Sequence, residues 1–151
     1  MTDNVESFSA MLQKALGNRL APDAATFLDM LADNAVMEFP YAPPGFATRL
    51  EGKVAIARHL ESLGVMIAFD GMGAPAIYAT NDPDLTILEV EGFGRGVSTG
   101  EPYDQRYISV IRMENGRIVH YRDYWNPLAL LRALRGGAAV DALSSGAGDH
   151  G

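Results

Sequence analysis

The 151-residue chain has no cysteine and only three histidines. Without cysteine there can be no disulfide framework, no thiolate nucleophile and no cysteine-based metal site. His59, His120 and His150 are far apart in the sequence and do not have the spacing of metal ligands. We therefore expect neither a metal nor a cofactor.

Basic residues are also scarce, with 12 Lys and Arg against 19 Asp and Glu and a net charge of -7. Nucleic-acid binding needs a basic face, so we expect no nucleic-acid partner. No apolar stretch reaches membrane-spanning length, and residues 1–10 lack the basic start and apolar run of a signal peptide. We therefore expect no membrane partner and a cytoplasmic location.

Apolar residues make up nearly half of the chain, enough for one domain with its own core. Helical spacing of apolar residues and cap sequences predict helices at residues 5–16, 24–31, 53–63 and 128–134. Residues 136–151 are rich in Gly, Ala and Ser and have little apolar surface to bury. They are predicted to form a flexible tail after a single domain at residues 1–135.

Strand-forming runs between turn sequences predict strands at residues 35–39, 66–67, 74–80, 85–94, 103–113 and 117–125. Glycines at positions 92, 94 and 96 indicate a bulge or a close approach of the backbone. Helices followed by a meander of strands indicate an α+β domain with a curved antiparallel sheet.

The segment from Asn115 to Pro127 is the most informative in the chain. It contains one carboxylate, Asp123, set among Tyr121, Tyr124 and Trp125. A carboxylate against aromatic side chains is costly to keep charged. Asp123 is therefore either neutralised by a partner or is a tuned acid or base.

A three-residue loop at 114–116 would place Met113 opposite Arg117, which fixes the facing of both strands. In this register Tyr107 lies opposite Asp123 and Ser109 lies opposite Tyr121. One face then carries Tyr107, Ser109, Ile111, Val119, Tyr121, Asp123 and Trp125. The other carries Arg106, Ile108, Val110, Arg112, Ile118, His120, Arg122 and Tyr124. This second face is partly apolar, so we expect a homodimer that covers it.

The order of elements, the third helix led by Gly52, and the segment Arg-Asp-Tyr-Trp-Asn-Pro after an Asn-Gly turn resemble the nuclear transport factor 2-like superfamily. The resemblance spans residues 5–134. It implies a cone in which a curved sheet wraps three N-terminal helices, with a short C-terminal helix and an apolar pocket. Members often dimerise through the outer face of the sheet.

Two groups within the superfamily match this chain poorly. Ketosteroid isomerases carry a base Asp before the Pro that ends the first strand, where this chain has Phe39, and their second Asp falls on Ser109. The isomerase reaction is therefore disfavoured. Limonene-epoxide hydrolases have a Trp-Arg-Asp-Tyr-Phe segment that Tyr121-Arg122-Asp123-Tyr124 resembles, but their Arg-x-Asp pair falls on Val90 and Gly92, so the hydrolase machinery is incomplete.

Two other groups match better. SnoaL-like polyketide cyclases place a general base at the position of Asp123. Phenazine-biosynthesis A/B-type proteins resemble the chain near Tyr103 and carry a pocket His seven residues after the Gly of the third helix, as His59 follows Gly52. The resemblance implies catalytic roles for Asp123 and His59, and the facing of β-strand residues adds Tyr107. We expect the substrate to be bound by Ser109, Tyr121, Trp125, Phe39, Tyr41 and Phe27.

Three functions stay open at this point. The leading interpretation is a cofactor-free enzyme that isomerises, cyclises or hydrates a cyclic or conjugated carbonyl compound by acid/base chemistry at Asp123. The second is a non-catalytic module that binds an apolar or aromatic small molecule, and the third is a structural dimer. An Asp123 in contact with a cavity favours the first two, and an Asp123 sealed in a salt bridge with Arg favours the third.

Overall fold

A computed structural model describes residues 3–148, with the side chains of residues 8–143. Its helices are α1 (Asp3–Leu16), α2 (Phe27–Met30), α3 (Lys53–Met66), α4 (Pro127–Arg135) and α5 (Gly137–Gly148). Its strands are β1 (Leu31–Glu38), β2 (Arg49–Glu51), β3 (Ile67–Met72), β4 (Ala76–Ala79), β5 (Leu85–Gly96), β6 (Pro102–Glu114) and β7 (Arg117–Trp125). None of the helices in this part of the chain is long and apolar enough to cross a membrane.

The strands form one sheet in the order β2-β1-β7-β6-β5-β3, with β4 paired to the first half of β5. All pairs are antiparallel except β1 with β7, which run parallel. The sheet is curved and does not close on itself. The α+β prediction is confirmed.

The second helix is much shorter than the sequence pattern predicts. A capping box between Thr26 and Asp29 starts α2, but the chain enters β1 at Leu31 after a single turn. Leu31 pairs with Ile118 on β7, so sheet pairing overrides the local helical pattern. The short strand β2 was not predicted, and it pairs with the end of β1.

The β6–β7 hairpin has a different register from the predicted one. Asn115 and Gly116 both have positive φ, 52° and 79°, and form a two-residue turn. Residues 114 and 117 therefore face each other, and Ser109 pairs with Asp123 where Tyr121 was expected.

A bulge in β7 compensates for this change. Arg112 pairs with His120 and Met113 with Ile118, which leaves Val119 without a partner. Ile118 was predicted on the outer face but is fully buried in the core. The bulge restores the predicted facing from His120 onward.

The core lies between the concave face of the sheet and the helices. Its main cluster includes Leu12 of α1, Phe27 of α2, Ile56 of α3 and Ile111 of β6. A second, smaller cluster joins β3 and β6 to α4, with Ile67, Tyr103, Leu130 and Ala133 buried together. Trp125 packs against both clusters and so stands at the boundary between them.

The chain after Arg135 is helical where a flexible tail was predicted. Alanine favours the helical conformation, and the alanine-containing segment Gly137–Gly148 forms α5. Leu143 is 58% exposed, so the part of this helix with described side chains buries little. Residues 149–151 lie outside the described residues, and the flexibility of the tail stays a prediction.

The outer face of the sheet is only partly apolar once Ile118 is removed from it. Ile108 is 44% exposed on this face, and Val110 is half-buried. Arg106 and Arg112 are paired there with Glu91 and Asp82. The expected homodimer stays a prediction.

Two glycines of β5 let neighbouring backbone approach closely. A Cβ at Gly94 would lie 2.3 Å from the carbonyl oxygen of Ala68, and one at Gly96 would lie 1.8 Å from that of Ala133. Carbonyl groups of a strand and of a helix cannot move aside as a side chain can. The predicted close approach is confirmed at both positions.

We expect Gly94→Ala to lower the melting temperature, because its Cβ would push β3 away from β5. Overpacking of this kind costs about 1–3 kcal/mol or more, which is several degrees for a domain of this size. Thermal unfolding followed by circular dichroism measures the change. Gly64→Ala in α3 is the control, because its Cβ meets nothing within 4 Å. Equal melting temperatures for Gly94→Ala and the wild type would contradict the expectation.

Candidate active site

An apolar cavity of about 200 Å³ lies between the concave face of the sheet and helices α1 and α3. Its walls are mainly aromatic, from Phe8, Phe27, Phe39, Phe46, Phe69, Tyr103, Tyr107, Tyr121 and Trp125. Met11, Met37, Met66 and Met72 fill gaps between the rings. Among the described residues that line it, none is Lys or Arg. The polar groups are His59, Ser109, Asp123 and the three phenols.

Asp123 reaches this cavity from near the C-terminal end of β7. Its pairing partner on β6 is Ser109, whose Oγ donates a hydrogen bond to Oδ1 of Asp123 at 2.9 Å. The carboxyl is only 8% exposed and forms no ion pair within the described part of the chain. Burial raises the pKa of Asp123 to about 7, against the lowering effect of the Ser109 hydrogen bond. A carboxyl that titrates near neutral pH can both accept and return a proton.

The neighbouring charges lie on the opposite face of the sheet. Glu38 of β1 is held there by His120, with Nε2 and Oε1 2.5 Å apart, and by Arg49 at 3.6 Å. Arg122 lies one residue before Asp123, and alternation along the strand directs it away from the cavity. Glu38 therefore faces away from the cavity, and no charged side chain of the described residues pairs with Asp123.

His59 reaches the cavity from α3. Its ring stacks on Phe39 with 5.0 Å between centroids and an interplanar angle of 27°. Burial lowers the pKa of the imidazole, so it is neutral at pH 7. A neutral imidazole presents one donor and one acceptor nitrogen to a ligand.

The phenols of the cavity are neutral donors. Burial, and then the charge of Asp123, raise the pKa of Tyr121 above its usual value. Burial, the Tyr103 phenol and Asp123 do the same for the pKa of Tyr107. The Tyr107 hydroxyl lies 3.4 Å from that of Tyr103. All three rings keep their O–H protons through the neutral range.

Most of the predicted site residues meet in the cavity. The ones that line it are Asp123, His59, Tyr107, Ser109, Tyr121, Trp125, Phe39 and Phe27. Tyr41 does not line it. It is 61% exposed and packs edge-on against Tyr124, because a tight turn from Phe39 to Ala42 carries it away from the cavity.

Several lining residues were missed from the sequence. Tyr103 lies on β6 in the same inward row as Tyr107 and Ser109, so extending the alternation would have found it. Met37 comes from β1, and no pattern near it marks a site. Among the described residues no cluster of three or more His, Asp and Glu side chains could hold a metal ion.

Comparison with known proteins identifies related chains. A sequence model of the SnoaL-like domain matches residues 8–121. The uncharacterised protein YesE of Bacillus subtilis is 38% identical over 97% of this chain and 99% of its own length. An uncharacterised PhzA/B-like protein of Pseudomonas aeruginosa is 41% identical over 83% of this chain and 88% of its own.

A solved structure from Bacillus subtilis, described as a "Putative Isomerase", superposes with a TM-score of 0.72 at 41% identity. It covers 85% of this chain and 92% of the other. A nuclear transport factor 2-like protein of Burkholderia xenovorans superposes with a TM-score of 0.64 at 21% identity, over 86% and 91% of the two chains. At that identity the second likeness shows the fold alone.

We expect Asp123→Asn to stabilise the protein at neutral pH. Because the pKa of Asp123 in the folded state lies above the ordinary Asp value of 3.8, the folded protein keeps a proton that the unfolded chain has released. The free energy of unfolding of the wild type therefore falls as pH rises from about 4 to about 7, and then levels off. The variant lacks this loss and should be more stable at pH 8, by on the order of 2–4 kcal/mol.

Urea unfolding at several pH values measures the difference. Asp82→Asn is the matched control with the opposite sign, because the Asp84 N–H and Arg112 lower the pKa of Asp82. That variant should lose stability above the unfolded-state pKa. A difference between Asp123→Asn and the wild type that does not change with pH would contradict the raised pKa.

Proposed function

The chain belongs to the SnoaL-like domain family, with a nuclear transport factor 2-like fold, and from this premise we propose that it is a cofactor-free enzyme acting on carbonyl compounds. Asp123 is its general acid and base. The observation that carries the proposal is a buried carboxyl on an apolar cavity wall, without an ion-pair partner in the described chain and with a pKa of about 7. A structural role in a salt bridge has no such support.

The chemistry follows from the charge that Asp123 gains and loses. As a carboxylate it removes a proton from the carbon beside a carbonyl, and the electron pair moves onto the carbonyl oxygen. The resulting enolate is stabilised by the neutral donors His59 and Tyr107. Return of the proton to a conjugated carbon gives isomerisation. Attack of the enolate carbon on a second carbonyl gives cyclisation.

The lining also defines the class of substrate. With no Lys or Arg among the described lining residues, nothing there would neutralise a carboxylate or phosphate on the ligand. Aromatic walls favour flat rings. A volume of about 200 Å³ lies below the ~300–1,000 Å³ common for drug-sized ligands. The proposed substrate is therefore a neutral ketone with one or two rings.

A binding module without turnover is the second candidate. The apolar cavity supports it as well as it supports an enzyme, because a hydrophobic pocket with few polar groups is the usual form of a ligand site. The raised pKa of Asp123 is the observation that favours the enzyme. Proton transfer to or from a bound ketone separates the two functions.

We expect the protein to catalyse exchange of the α-protons of β-tetralone, a neutral bicyclic ketone, with deuterium from D2O. Exchange needs the base form of Asp123, so the rate should rise with pH and level off above about 7. Asp123→Asn should lower the rate by about 10²–10⁴-fold. Loss of the α-proton signal in NMR spectra measures it.

Asp70→Asn is the control for the same chemical change at an exposed position, since the Asp70 side chain is 60% exposed and paired with Arg95. It should exchange at the wild-type rate. A wild-type rate no higher than that of Asp123→Asn would contradict general-base catalysis. Binding of the ketone with no exchange would support the binding module.

A further inference from the structure

A buried polar group on β6 has no part in the mechanism so far. Gln105 is 1% exposed and lies in the inward row between Tyr103 and Tyr107. Its Oε1 accepts hydrogen bonds from the backbone N–H groups of Asn126 at 2.7 Å and Arg106 at 3.0 Å. Its Nε2 donates to the carbonyl oxygen of Asn126 at 3.0 Å and to the Tyr103 hydroxyl at 3.2 Å.

These four contacts fix the orientation of the Gln105 amide. In the flipped orientation, NH2 would face two N–H donors and the oxygen would face a carbonyl oxygen. Nε2 is therefore the group that faces Tyr103. The phenolic oxygen of Tyr103 accepts this bond, which leaves its own proton free to be donated.

The two phenols together have one O–H proton more than their mutual hydrogen bond uses. The two hydroxyl oxygens are 3.4 Å apart, so one O–H donates to the other oxygen. The second O–H has no acceptor other than its neighbour's oxygen among the described residues. Both rings line the cavity, so this proton is available to a ligand there.

The position of this spare donor suits the proposed chemistry. Tyr107 and Ser109 are two residues apart on one face of β6, about 7 Å along the strand. Ser109 in turn holds Asp123. A flat ketone between the two groups would present its oxygen to the phenols and an adjacent carbon towards the carboxyl.

We propose that Tyr103 and Tyr107 together form a hydrogen-bond donor site for the ligand's carbonyl oxygen, and that Gln105 is the residue that positions it. This deepens the proposed function and depends on the cavity binding a neutral ketone. The hydrogen bond from Gln105 polarises Tyr103, and Tyr103 polarises Tyr107, so the last O–H in the chain is a stronger donor than a lone phenol.

The test compares two ligands of nearly the same shape, β-tetralone and its hydrocarbon analogue tetralin. Trp125 is the chain's only tryptophan and lines the cavity, so its fluorescence reports binding of both. A hydrogen bond to the ketone should make tetralone bind about fivefold more tightly than tetralin. This ratio of affinities cancels changes in folding or in cavity size that affect both ligands.

We expect the ratio to fall to about one in the double variant Tyr103→Phe/Tyr107→Phe, with tetralin affinity retained. Gln105→Glu keeps the acceptor for the N–H groups of Arg106 and Asn126 but replaces the NH2 that donates to Tyr103 and to the Asn126 carbonyl oxygen, so it should lower the ratio while both tyrosines remain. Tyr78→Phe is the control, because Tyr78 is 47% exposed and bonds Glu89 outside the cavity.

The outcomes separate this inference from the proposed function. An unchanged ratio in the double variant overturns the donor site and leaves ketone binding intact. Equal affinities of the wild type for tetralone and tetralin would also overturn the donor site. If neither ligand binds the wild type, both the inference and the proposed function are wrong. A ratio that depends on the tyrosines without deuterium exchange supports the donor site and overturns only the catalytic role of Asp123.

Discussion

The burial of the Asp123 carboxyl beside a single hydroxyl donor sets the conditions for everything around it. A charged carboxylate in an apolar setting without a partner costs far more than one hydrogen bond returns, so the group keeps its proton towards neutral pH. Such a group lowers the stability of the folded state as the pH rises above the ordinary carboxyl pKa of 3.8. The two clusters of buried side chains on either side of Trp125 must supply the stability that it removes.

The sheet separates charge by face. Its outer side carries the ion pairs of Glu38, Arg106 and Arg112, which are partly exposed and contribute at most about 1 kcal/mol each. Its inner side carries rings, methionines and neutral hydroxyls. The alternation of side chains along β6 and β7 is sufficient to produce this division. The cavity is therefore a low-dielectric space in which one titrating group and a few neutral donors have large effects.

Much of this arrangement could be predicted from the sequence, because period-two alternation depends only on which residues are in the strand. Tyr107, Ser109, Tyr121 and Asp123 were placed on one face correctly although the hairpin register was wrong. The shorter turn and the bulge at Val119 each shift the pairing by one residue, and the total shift of two residues leaves every side chain from His120 onward on its predicted face. The facing of Ile118 lies on the far side of that bulge, so it was predicted wrongly.

Other features depend on contacts that a local pattern does not contain. The helical spacing around Phe27 and Leu31 is real, yet pairing with β7 draws Leu31 into a strand. The loop that turns Phe39 inward turns Tyr41 outward. As a single polar residue in a strand, Gln105 belongs to no pattern from which its role could be predicted. Its role depends on hydrogen bonds to the Asn126 backbone, which follows it by 21 positions and lies beside it only in the folded chain.

The glycines of β5 limit how this cavity can change during evolution. At Gly92 a Cβ would lie 2.9 Å from the Tyr107 ring, and at Gly94 and Gly96 it would meet backbone. The sheet side of the cavity therefore cannot accept larger side chains at these positions without moving its own polar groups. Leu60 and Leu63 of α3 line the cavity and are only partly buried, so they can change size at a smaller cost in packing. The size of the ligand that the cavity accepts can therefore change more easily through this helix than through the sheet.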